Sequence, residues 1–207
     1  MANIKNRTKE ISEMFMQSGK NLAQVAASSA FEFWQRKDFR LYVDFQSLSQ
    51  TEQDRMFNEL EVSVLGLFTL SLDYAISIAK NEYGQLLGIL QKEITFGFLQ
   101  LFLDLGTEKR FVDQWRKLIE MRFKEYREHF KAAIKESGSW KEFRGDEEGR
   151  QIWARIETIT IDCLTHIRRG NVKKDDPLWK LLRKWLITLE AQISPIAKLG
   201  EENNPQN

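Results

Sequence analysis

Residues 62–79 read VSVLGLFTLSLDYAISIA, eighteen positions in which Asp73 is the one charged side chain. About 20 apolar residues span a bilayer, so the stretch invites a transmembrane reading. Four Ser or Thr residues, Gly66 and the mid-span Asp73 argue against it. An aspartate at the middle of a membrane helix costs about 2.5–3.5 kcal/mol on insertion scales. The stretch is read instead as a helix buried at the centre of a bundle.

Working outward, Ser49 followed three positions later by Glu52 has the form of a capping box, in which each side chain satisfies the other residue's backbone N–H. A helix is therefore expected from Ser49 to about Lys80. At 100° per residue, Arg55, Glu59, Gly66, Thr69, Asp73 and Ser77 share a narrow polar seam, and Phe57, Leu60, Val64, Leu65, Phe68 and Leu72 cover the broad opposite face. Beyond it, residues 82–104 read as a second helix whose end, with Phe96, Phe98, Leu99, Phe102 and Leu103, is apolar all round and expected to be buried. Gly106 ends that element.

Residues 108–136 read as an amphipathic helix on Val112, Trp115, Ile119, Phe123, Tyr126 and Phe130. Asp146, Glu147 and Glu148 open the next helix, where carboxylates complement the positive end of the dipole, and Arg168, Arg169 and Gly170 close it. Asp176 as cap with Pro177 in the first turn opens the last, which Ser194 and Pro195 are expected to end. Ahead of the central stretch, residues 4–34 read as one long helix. Ile4, Ile11, Phe15, Leu22 and Val25 recur at intervals of three, four and seven, Ser18 and Ser29 interrupt the stripe, and Gly19 is a candidate bend. Residues 31–45 read as an aromatic-rich link.

The fold class is thus all-α: a single-domain bundle of about six helices with a long amino-terminal helix, spanning residues 1–200, followed by a disordered tail at 201–207. Lys plus Arg number 31 against 30 Asp plus Glu. That balance gives no basic excess for neutralising phosphates, and no nucleic-acid partner is expected. The acidic side chains outnumber the basic by five over 51–106, and the basic outnumber the acidic by four over 107–207. Cys163 is the lone cysteine and the amino terminus is polar, which together suit a cytoplasmic protein.

Candidate chemistry is sparse. His129 and His166 each follow a carboxylate by four residues, Glu125 and Asp162, so each acid and imidazole share one side of their own helix. If the two helices meet, the four side chains could converge as metal ligands; otherwise they are two ion pairs on helix surfaces. The Glu-x-x-His spacing of di-iron bundles is absent. Arg122 projects from an apolar face between Trp115, Leu118 and Tyr126, and with Asp73 is expected as a structural buried polar residue, its acceptor being Asp73 or Asp104. Cys163 on a core face reads as a small hydrophobe. No phosphate loop, nucleophile elbow or zinc-protease motif occurs, and neither a catalytic residue nor a cofactor is expected.

The residues best fit a non-catalytic interaction or scaffold protein that self-associates as a homodimer and can engage a protein partner. Two alternatives stand beside it. Phe96 to Leu103 and the basic amphipathic stretch 177–189 suggest a binder of an apolar ligand, a lipid or a membrane surface. The acid–His pairs suggest a metal-dependent helical-bundle enzyme.

Overall fold

The helix built on residues 62–79 is α3, Gln50–Ile78, in a computed structural model that describes residues 2–79, 81–137 and 146–202. The Ser49 hydroxyl accepts the Glu52 N–H at 3.3 Å, as a helix cap should. The reciprocal half of the box does not form. Glu52 turns its carboxylate to Arg55 and Arg169, which offer charge-assisted bonds stronger than a neutral backbone donor.

Around α3 lie α1 Ala2–Gln35, α2 Lys37–Tyr42, α4 Asn81–Asp104, α5 Lys109–Ser137, α6 Glu147–Ile167 and α7 Pro177–Glu202, with no strand among the described residues. The chain is an all-α bundle. α3 touches five of the other helices, and Leu60, Val62, Val64, Leu65, Leu67, Phe68 and Leu72 are fully buried. The polar seam is buried with them. Glu59, Ser63 and Thr69 lie under α4, α5 and α6, so α3 has no solvent side through its middle. Both α3 and α4, over Glu82–Asp104, are long and apolar enough to cross a membrane by length and composition. α3 has 72% of its most apolar window buried inside the bundle, the signature of a core helix.

One helix more than expected is present. The aromatic link contains α2, a short helix whose Phe39 is fully buried against Phe33. Its start carries Asp38 in the first turn, paired with Arg36, and Arg40 lies over the rings of Trp34 and Phe45. Six residues are too short for helical periodicity to register, which is why the sequence pattern misses it.

α1 runs alongside α4 in the same direction: Phe15 meets Tyr83, Gly19 meets Leu90 and Glu93, and Ala23 meets Gly97. Its buried edge is Gly19, Ala23, Ala26, Ala30 and Phe33, a stripe of small residues. The larger apolar stripe flanks this edge, and Val25 is 37% exposed. Gly19 acts by close approach. A Cβ there would sit 2.5 Å from the Glu93 Cβ, so the hydrogen lets the two backbones come together, and α1 continues through it as one helix.

The end of α4 departs from expectation. Phe98 and Leu99 are buried, but Phe96 is 53% and Leu103 41% exposed, because α1, α3 and α5 cover only three sides of this helix. A Schellman turn closes it, with Gly106 at φ +82° and Thr107 N–H donating to the Phe102 carbonyl at 2.9 Å. α7 buries Leu178, Leu182, Leu186, Leu189 and Ile193, so the apolar side of the basic amphipathic stretch serves the core. It runs on past Ser194 and Pro195 to Glu202. Proline removes one N–H from the ladder there without ending the helix. Residues 201 and 202 of the expected tail are thus helical, and 203–207 lie outside the described residues.

Candidate functional site

Acid–base pairs join α3, α5, α6 and α7 to one another. α5 and α6 pack against one another, and this brings Glu125, His129, Asp162 and His166 together by exchange. His129 Nδ1 lies 2.8 Å from Asp162 Oδ1 and His166 Nε2 lies 3.0 Å from Glu125 Oε2, so each imidazole takes the carboxylate of the other helix. Neither acid serves the histidine four residues along its own chain.

Among the described residues no group of three or more His, Cys, Asp or Glu side chains is placed to hold a metal ion. The two pairs are separate contacts. Burial raises the Asp162 carboxyl above the ordinary aspartate range, against the opposing pull of the His129 hydrogen bond.

Arg122 anchors the other end of this network, and its acceptor is neither Asp73 nor Asp104. It grips Glu59 through two bonds, Nη2 to Oε1 at 2.7 Å and Nε to Oε2 at 3.0 Å, and reaches Glu125 Oε2 at 3.2 Å. Glu59, Arg122, Glu125 and His166 thereby form one chain of hydrogen bonds across α3, α5 and α6. Asp73 pairs instead with Arg127, at 2.7 Å, and with Gln91, at 2.8 Å. Asp73 is only half-buried, its side chain 35% exposed. The carboxylates of the seam thus each receive a guanidinium from α5, Glu59 from Arg122 and Asp73 from Arg127, in chain order. Asp104, at the end of α4, accepts from Gln100.

Between those two ion pairs the seam closes on an aromatic ring. Tyr126 is fully buried with its hydroxyl 3.4 Å from Ser63 Oγ, and its ring occupies the space a Cβ on Gly66 would need. Cys163 is buried beside them and burial pushes its thiol up to about 12, leaving it neutral and unreactive at ordinary pH.

Three polar features escape the sequence reading. Arg155 of α6 and Glu190 of α7, both buried, pair at 2.6 Å, and Ser71 of α3 donates to the same carboxylate at 2.7 Å. Arg183 donates to Glu157 across α6 and α7. Glu61 is buried with its Oε2 unpartnered, and burial alone raises its carboxyl to about 8. A signal for Glu61 existed, since its helical angle falls between Phe57, Leu65 and Phe68 on the apolar face of α3. The α6–α7 pairs carry none, because a flank residue is core or surface according to which helix lands on it.

The described network satisfies charge internally. Its parts clamp three helices to a fourth, and they present no nucleophile with an adjacent base. No family model, no curated protein and no solved structure matches the chain, so function is argued from its own residues.

Proposed function

We propose that the protein is a non-catalytic helical interaction protein of the cytoplasm that pairs with a second copy of itself through α1. The observation that carries this reading is a second, partly exposed seam on α1 beside its buried alanine edge, in which Ile11, Met14 and Val25 are apolar and Ser18 and Asn21 polar. Ile11, Ser18 and Val25 stand seven residues apart with Met14 between the first two, the spacing of a coiled-coil seam. Met14 is 59% exposed and Val25 37%. Ser18 within the seam suits pairing that fixes register at some loss of affinity.

Sedimentation velocity of the full chain should show a dimer at micromolar concentration. Met14→Glu with Val25→Glu should return it to monomer with helix content unchanged, since neither side chain belongs to the core. A monomer at the highest soluble concentration, or a dimer indifferent to both glutamates, would sink the proposal.

A further inference from the structure

We infer that the groove between α4 and α5 is a binding site for a free amphiphilic anion, a carboxylate or phosphate head on an acyl or aryl body. This goes beyond the pairing proposed for α1 and does not depend on it. The groove is an open cleft of about 280 Å³, just below the roughly 300–1,000 Å³ typical of small-molecule sites. It arises because the two helices are held together at one end only. Near Gly106, Trp115 stacks on Phe102 with centroids 5.0 Å apart and meets Phe98 edge-on. Further along, Arg127 ties α5 to Asp73 on α3, and Thr69 of α3 lines the gap.

The walls and the rim differ in character. Phe96 and Leu99 of α4 face Phe123 of α5 across the groove, and Phe96 is left more than half exposed. Lys92, Arg116 and Arg127 carry the positive charge, and no carboxylate is among the described residues that line the groove. Arg127 is already held by Asp73, whose other contact is Gln91. Lys92 and Arg116 are exposed and, among the described residues, neither is engaged by a carboxylate. Like charges thus face one another over an aromatic cleft, an arrangement that a single anionic head would relieve while its apolar body covers Phe96. Arg116 supplies the planar fork that matches carboxylate and phosphate oxygens.

Decanoate titrated into the full chain, followed by calorimetry and amide chemical shifts, tests the site. Saturable binding is expected, with the largest shifts at Thr95, Phe96 and Phe123, and decanol should bind at least tenfold more weakly. Lys92→Gln with Arg116→Gln should weaken decanoate at least tenfold while the melting temperature stays unchanged, as neither side chain holds the fold. Phe96→Ser should weaken decanoate and decanol alike. The inference is overturned by absence of decanoate binding up to millimolar concentration, by equal affinity for decanol, by shifts centred elsewhere, or by a charge-deleted variant that binds as the parent does. Binding seen only with phosphatidylglycerol vesicles and not with decanoate would also overturn it, by assigning the cations to a membrane surface.

Discussion

Glu61 sits in an environment at odds with its chemistry, buried with one carboxylate oxygen unpartnered. Its folded pKa of about 8 lies above the ordinary 4.5 because burial penalises the charged form and no partner compensates. Between those two values the folded chain keeps a proton that the unfolded chain releases, so stability is greatest below the lower value and falls as pH rises through the upper one. The loss amounts to a few kcal/mol at most. Urea denaturation from pH 4.5 to 8.5 should therefore show declining stability that Glu61→Gln flattens, because glutamine keeps the shape and has no charge to bury. An unchanged slope in the variant would mean the carboxyl ionises at its ordinary pH. The neighbouring Glu59, equally buried, differs in having two bonds to Arg122. Sequence reading found Arg122 as a cation in need of an acceptor and chose the wrong one. Glu59 and Asp73 occupy the same seam of α3, and only the register of α5 along that seam decides between them.

At the scale of helices, the decisive contacts are made by small side chains. Gly19 and Gly97 bring α1 and α4 close: a Cβ on Gly97 would lie 3.2 Å from the Lys20 Cα. Gly88, on the same helix as Gly97, would meet nothing within 4 Å. Gly88 and Gly97 therefore have different reasons to be what they are. Gly19→Val should destabilise the protein by about 1–3 kcal/mol through overpacking, and Gly88→Ala should stabilise it by about 0.5–1 kcal/mol by restricting the unfolded chain and favouring helix. Thermal melts of the two variants should move in opposite directions, and a Gly19→Val melt matching the parent would refute the close-approach argument. The six long helices and their order were legible from apolar spacing, and three of their starts from Ser49, Asp146 and Asp176, whose side chains accept backbone N–H groups. The α1–α4 pairing was not. Hydrophobic periodicity follows large residues, and the alanine edge that α1 buries is almost silent on that scale.

For the whole molecule, the charge asymmetry between 51–106 and 107–207 has a spatial meaning. Carboxylates of the central helix receive guanidiniums from later in the chain: Glu59 from Arg122 and Asp73 from Arg127 on α5, and Glu52 from Arg169 in the turn after α6. Arg55 makes the reverse gift, donating to the His166 and Ile167 carbonyls at 2.6 and 3.0 Å and so satisfying the open end of α6. What composition alone left undecided was which of the amphipathic helices keep apolar surface outside: α7 gives its stripe to the core, whereas α4 keeps part of its own. A chain ending after Ser137 would lack α6 and α7, leaving Ser71 and the adjoining core face of α3 without the Arg155–Glu190 pair above them. Such a fragment should partition to the pellet and bind a hydrophobic dye when refolded, whereas recovery of a monomeric, cooperatively melting fragment would contradict the hub role of α3. The same order governs synthesis. The ribosome makes α3 before four of the five helices that pack on it, so the nascent protein passes through an interval in which this apolar helix must be shielded by transient company, by a chaperone or by speed.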